Sequence, residues 1–84
     1  MNDSPYDYPK DFFIPFENDL YKEGRLIINF LEKDYSVEID IVQKDSRKIY
    51  YHIGLLTKIE SEQEAIEAGI FKLKSFFANI ESII

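Results

Sequence analysis

The chain has 84 residues, the size of one small domain, so we expect a single domain over residues 1–84. Hydrophobic residues make up 45 % of it and aromatic residues 15 %, which supports a packed core and argues against disorder. The net charge is −6, and the absence of cysteine excludes disulfide scaffolds, thiolate metal sites and a cysteine nucleophile.

Residues 1–24 are predicted to form an extended arm. Pro5, Pro9 and Pro15 disfavour a helix or a central strand in this segment. Aromatic residues lie between and beside these prolines, whereas a disordered tail would contain few of them. We therefore expect the arm to place its rings on an apolar surface, and its candidate partner-binding residues are Tyr6, Tyr8, Phe12, Phe13 and Phe16.

Residues 25–60 show an alternation of apolar and polar residues that is typical of strands. Three runs have this pattern: 25–31, 35–41 and 49–56. Short polar connections between them favour antiparallel neighbours, so we predict a three-stranded antiparallel sheet in the order 1-2-3. In the third run, the inward-facing residues are expected to be Ile49, Tyr51, Ile53 and Leu55.

Residues 61–84 are predicted to contain a helix from 62 to about 81, packed on one face of the sheet in an α+β fold. Ser61 and Glu64 have the spacing of a capping box, with Ser61 as the N-cap. Gly69 lies beside the apolar stripe, which indicates close contact with a bulky ring below it. The expected core contains Leu26, Ile28, Phe30, Val37, Ile39, Tyr51, Ile53, Ile66, Ile70, Leu73 and Phe77.

The face of the sheet away from the helix is expected to be unusually apolar. The residues assigned to it are Ile27, Leu31, Val42, Tyr50 and Leu56. Phe71 is a further anomaly, because helical spacing places it among charged residues. Two candidates could cover this apolar face, the N-terminal arm and a second copy of the chain, and the sequence does not decide between them. Tyr50 and Phe71 join the candidate partner-binding residues.

One group of residues has the chemistry of a metal site or proton relay. If the strands pair as drawn, Glu38 faces His52 and Asp40 faces Tyr50 on the outer surface. A flat, exposed sheet lacks the cleft that catalysis needs, so the favoured interpretation is a cross-strand charge pair. We therefore expect no catalytic residue, no metal ligand and no cofactor.

The order of three strands and a helix resembles, in outline, plant ethylene-response DNA-binding domains and integrase arm-binding domains. The resemblance lies in Tyr35–Ile39, Tyr51–Gly54 and Glu62–Ala65 and covers about half the chain. It implies a sheet that enters the major groove and reads DNA with Arg, Lys and aromatic side chains. Here the matching face presents Glu38 and Asp40, which repel phosphate, so no binding residue is transferred from these families.

The predicted function is that of a small acidic, non-enzymatic protein-interaction module: a regulator, inhibitor or immunity-type protein. We expect a protein partner, a homodimer and a cytoplasmic location, because no apolar run has the length of a membrane helix and residues 1–10 do not resemble a signal peptide. The alternative is a nucleic-acid-binding domain that uses the basic loop Lys44, Arg47 and Lys48. Nucleic acid is the less favoured partner, because residues 25–60 carry no net charge.

Overall fold

The computed structural model of the chain describes residues 7–17 and 19–83, with side chains as far as Phe76. These residues form four strands and one helix: β1 (Lys10–Phe16), β2 (Asp19–Leu31), β3 (Asp34–Gln43), β4 (Ile49–Ile59) and α1 (Glu62–Ile83). The strands form one sheet in the order β1-β2-β3-β4, and each adjacent pair is antiparallel. The α+β class and the C-terminal helix are confirmed, whereas the prediction of three strands is wrong.

The additional strand, β1, lies inside the predicted arm. It pairs with β2 so that Phe12 is opposite Leu26 and Ile14 is opposite Gly24. Pro15 is compatible with this pairing because β1 is an edge strand, where a missing backbone N–H does not interrupt the sheet. The arm thus extends the sheet at its edge instead of lying across its face, and β2 begins at Asp19 instead of Arg25.

The core lies between the sheet and α1. Its buried residues are Leu26, Ile28, Tyr35, Val37, Ile39, Ile41, Ala65 and Leu73. Among the other predicted core residues, four are partly buried and pack against this cluster: Phe30, Ile53, Ile66 and Ile70. The prediction for Tyr51 is wrong, because this residue stacks on Phe76 of α1 but remains 49 % exposed. Phe77 lies outside the described side chains.

Strand β4 does not follow the uninterrupted alternation expected of it. Its register with β3 shifts at three places, between Tyr35 and Val37, Ile39 and Asp40, and Ile41 and Val42. Each bulge inserts an unpaired residue and reverses which side chains face the core beyond it.

The shifts in β4 overturn the predicted facing of two leucines. Leu56 is opposite Val37 and packs against the core, whereas Leu55 is opposite Glu38 and is 57 % exposed. Val42 was also expected to be exposed, but it is completely buried.

Two reciprocal leucine–glycine contacts join α1 to β2. A Cβ added to Gly69 would lie 2.7 Å from Leu26 Cδ2, and one added to Gly24 would lie 2.6 Å from Leu73 Cδ1. The expected close contact at Gly69 is confirmed, although its partner is a leucine and not an aromatic ring. Each glycine therefore provides the space that the opposing leucine occupies.

The start of α1 is stabilised by Ser61 and linked to the N-terminal segment. Ser61 Oγ accepts a hydrogen bond from the backbone N–H of Glu64, as predicted for the N-cap. Glu62 accepts a hydrogen bond from Tyr8 Oη at 2.9 Å and pairs with Lys10 Nζ at 2.8 Å. The Tyr8 ring in turn contacts Phe30 and Tyr35. These contacts thus join the start of β1 and the residues before it to the first turn of α1.

Candidate functional site on the open face of the sheet

The face of the sheet opposite α1, here called the open face, carries two adjacent rows of side chains. Directly opposed residues in neighbouring strands lie on the same face, so the pairing defines each row. The first row is Phe13, Arg25, Asp40 and His52, and the second is Asp11, Ile27, Glu38 and Leu55. Charged side chains therefore occupy the centre of this face.

Glu38, Asp40 and His52 form what we call the acid–histidine cluster. His52 Nδ1 lies 2.7 Å from Asp40 Oδ1 and 3.8 Å from Glu38 Oε2. The sequence analysis brought these three residues together but gave His52 the wrong opposite residue. The register shift between Ile39 and Asp40 places His52 opposite Asp40, and Leu55 opposite Glu38.

Asp40 is completely buried, so its charge requires compensation. Arg25 provides it, with Nη2 3.4 Å from Asp40 Oδ2. Asp40 therefore uses its two carboxylate oxygens separately, one toward Arg25 and the other toward His52. Arg25 Nε is buried and makes no hydrogen bond in the described part of the chain.

Glu38 has an altered affinity for protons because of this arrangement. A side-chain hydrogen bond with Asp40, followed by burial and by repulsion from the Asp40 charge, raises the pKa of Glu38 above its ordinary value of 4.5. His52 and Arg25 act in the opposite direction, but their effect is smaller. The neighbouring Asp40 carboxyl group thus makes ionisation of Glu38 less favourable at the centre of the open face.

Only part of the predicted basic loop is available to contact another molecule. Arg47 lies over the Phe13 ring, with Cζ 3.8 Å from the ring centroid, and its Nε is 3.8 Å from Glu23 Oε1. Cation–π and ionic contacts therefore hold this side chain against its own sheet. Lys44 and Lys48 are exposed. The three residues do not form one basic surface.

The candidate partner-binding residues fall into two groups. The rings of Tyr8, Phe12 and Phe16 pack against the core, and Phe13 lies beneath Arg47. In contrast, Tyr50 is 59 % exposed and Phe71 is 70 % exposed. Tyr6 lies outside the described residues. Most of the aromatic residues of the predicted arm therefore stabilise the fold.

Strand β4 exposes a group of large apolar side chains that sequence reasoning mostly placed inside. These residues, here called the β4 apolar strip, are Ile49, Tyr50, Tyr51 and Leu55, each about half exposed or more. The bulges of β4 explain why Ile49 and Leu55 were expected inside, because side-chain alternation carries no signal for where a register shift occurs. Tyr50 was expected to be exposed, and Tyr51 lies on the helix side but is only half covered there. The strip borders the acid–histidine cluster through His52.

Comparisons with known protein families, with curated proteins and with solved structures find no match to this chain. No helix in the described residues is both long enough and apolar enough to cross a membrane.

Proposed function

We propose that this chain is a small cytoplasmic protein-binding module without catalytic activity, of the class that regulates or inhibits its partner, immunity-type proteins included. The observation that supports this proposal best is the β4 apolar strip. Four large apolar residues are exposed along one edge strand, with Leu55 on the open face and Tyr51 on the helix side, and such a concentration of exposed apolar residues is typical of interaction sites. Tyrosines are enriched among the residues that dominate binding energy.

The structure favours docking through side chains over pairing of backbones. The register shifts leave residues 54–56 as the longest uninterrupted stretch of β4, too short for a regular added strand. The other sheet edge, β1, contains Pro15 and a register irregularity beside it. We therefore expect the partner to lie on the β4 apolar strip and the adjoining open face.

The charge of the chain indicates which partner surfaces would attract it. At −6, the protein is drawn toward a basic surface, and long-range attraction of this kind accelerates association and disfavours acidic partners. An inhibitor of this type would occupy a basic, nucleic-acid-facing groove of its target. A second copy of the chain is the other proposed partner, and it would cover the strip through apolar contact.

Affinity capture with paired variants tests the proposal. The bait proteins are the full chain, the double variant Ile49→Thr/Leu55→Thr and the control Leu20→Thr, which changes an apolar residue that is 78 % exposed elsewhere in the sheet. Threonine preserves strand propensity, so all three baits should fold. We expect a protein that the wild type and Leu20→Thr retain and the double variant loses. Equal recovery by all three baits would contradict the assignment of the surface.

A mobility-shift experiment tests the nucleic-acid alternative, whose support is the exposure of Lys44 and Lys48. Labelled duplex and single-stranded DNA and RNA are titrated at low salt, where phosphate contacts are strongest. We expect no shift at low micromolar protein. A salt-dependent shift that Lys44→Gln/Lys48→Gln removes would replace the protein-binding proposal.

A further inference from the structure

We propose that the acid–histidine cluster is a binding site for a divalent transition-metal ion such as Zn²⁺. Glu38, Asp40 and His52 each offer one ligand atom, and these atoms lie within 4.8 Å of one another. The inference is independent of which partner the β4 apolar strip binds, because it depends only on side chains of this chain.

The distances in the cluster suit an ion with short ligand bonds. Two ligand atoms about 2.1 Å from a tetrahedral Zn²⁺ lie about 3.4 Å apart. The two measured separations from His52 Nδ1, 2.7 Å to Asp40 and 3.8 Å to Glu38, are on either side of that value. His52 and Glu38 have side chains that are 55 % and 36 % exposed, so both can adjust by the required fraction of an ångström.

The sheet holds these ligands on rigid elements. Asp40 and His52 are directly opposed in β3 and β4, and Glu38 is two residues from Asp40 on the same face of β3. Asp40 is fully buried, and Arg25 contacts its Oδ2 while Oδ1 points to His52. A buried carboxylate held in this way is a preorganised ligand, and the exposed side of His52 leaves a path by which an ion enters.

The ligand types determine which ions should bind. An imidazole nitrogen together with carboxylates suits Zn²⁺, Ni²⁺ or Cu²⁺, whereas Mg²⁺ and Ca²⁺ prefer oxygen ligands alone. Three protein ligands leave a coordination position for water or for a group from another molecule. The opposing term is the Arg25 guanidinium, which neutralises part of the Asp40 charge, so Glu38 must supply much of the negative charge.

His52 is the only histidine in the chain, which makes the test unambiguous. Zn²⁺ is titrated into the full-length protein at neutral pH, and binding is followed by calorimetry and by NMR of the ¹⁵N-labelled imidazole. An ion can bind Nδ1 only when that nitrogen carries no proton, so the neutral imidazole keeps its single proton on Nε2. We expect one ion per chain, an imidazole fixed in the Nε2–H tautomer, and no response to Mg²⁺.

Variants distinguish binding at the proposed site from non-specific binding of Zn²⁺ to the acidic surface. His52→Ala and Glu38→Gln should each weaken Zn²⁺ binding by at least about tenfold. Glu60→Gln, which removes an exposed carboxylate elsewhere, should leave it unchanged. Asp40→Asn is less suitable, because it would leave Arg25 without its buried counter-charge. The proposal is overturned if binding does not saturate below about 1 mM Zn²⁺, or if His52→Ala binds as tightly as wild type.

Discussion

Gly24 and Gly69 act as a matched pair of recesses beneath Leu73 and Leu26. Both leucines are almost completely buried, at 2 % and 0 % exposure, so neither side chain has free space in which to move away from an added methyl group. Well-packed interiors resist such insertions because every rotamer change displaces another side chain. The closeness of α1 to β2 therefore depends on these two glycines.

Replacing Gly24 should test this packing directly. Gly24→Ala places its Cβ 2.6 Å from Leu73 Cδ1, and we expect a loss of about 1–3 kcal/mol of unfolding free energy from overpacking. Gly54→Ala is the matched control, because a Cβ at that position meets no atom within 4 Å. Denaturant unfolding measures both variants. A Gly24→Ala protein as stable as Gly54→Ala would show that the helix does not approach β2 this closely.

Asp19 gives a second prediction at the residue scale, this time for pH. Its Oδ1 accepts hydrogen bonds from the backbone N–H groups of Tyr21 at 2.9 Å and Lys22 at 3.1 Å. The bond from Tyr21 is the main reason that the pKa of Asp19 falls below its ordinary value of 3.8, and the contacts with Lys22 lower it further. A lowered pKa means that the ionised form is favoured in the folded protein.

The sign of the pH effect follows from that shift. The stabilisation is fully present above pH 3.8 and is lost as the pH falls through the lowered pKa of the folded state. Carboxyl NMR should show Asp19 titrating below its ordinary value of 3.8. Asp19→Asn should lose less stability than the wild type as the pH falls, because its amide oxygen still accepts the hydrogen bonds but does not titrate. An Asp19 that titrates at or above 3.8 would contradict the assignment.

At the scale of elements, β1 converts a predicted arm into part of the sheet. Phe12 and Ile14 pack against the core, whereas Asp11, which directly precedes Phe12, is exposed. β1 also brings Tyr8 and Lys10 to Glu62 at the start of α1. A small domain has little stability in reserve, so an edge strand with these contacts should contribute measurably.

Two neighbouring residues of β1 provide a matched test of its role. Phe12→Ala should lower the unfolding free energy by about 2 kcal/mol, below the full 3–5 kcal/mol of a buried phenylalanine because the ring is only partly buried. Asp11→Ala changes an exposed side chain in the same strand and should have little effect. Equal melting temperatures for the two variants would mean that β1 is not docked in solution.

At the scale of the whole molecule, one helix covers one face of a long sheet. The longest dimension of the molecule is 43 Å, and the 13 residues of β2, at about 3.3 Å per residue, are long enough to span it. The Cα radius of gyration is 13.4 Å, whereas a compact domain of this length would have about 12 Å. The elongated shape leaves the open face and the β4 apolar strip broad and accessible.

This accessibility predicts self-association, with the two-fold dimer as the expected form because it is the commonest soluble oligomer. The net charge of −6 on each chain opposes pairing, but physiological salt screens exposed charges beyond about 8 Å. Burial of apolar side chains at about 25 cal/mol per Å² should exceed this screened repulsion. Sedimentation equilibrium at tens of micromolar measures the result.

The variants that test partner binding also test the dimer. Ile49→Thr/Leu55→Thr should remain monomeric at concentrations where the wild type and Leu20→Thr associate. A wild type that stays at the mass of one chain at every concentration would end the dimer prediction and leave another protein as the proposed partner.

The sequence by itself determined the elements whose information is local. The alternation in β2 and β3 correctly gave the helix-facing residues Leu26, Ile28, Val37 and Ile39, because side chains of a strand alternate with period two. Ser61 marked the beginning of α1, because an N-cap is recognised within a few residues. The candidate cluster of Glu38, Asp40 and His52 was also visible, since adjacent strands bring their outer side chains together.

Only the tertiary structure decided how distant segments pair. The prolines of the N-terminal segment argued against a helix or a central strand, and only pairing with β2 shows that Pro15 lies in an edge strand, where it is acceptable. In β4, the bulges turned Leu55 outward and Leu56 inward and placed His52 opposite Asp40 instead of Glu38. These choices are made by hydrogen bonding and packing between strands, so the periodicity of one strand cannot encode them.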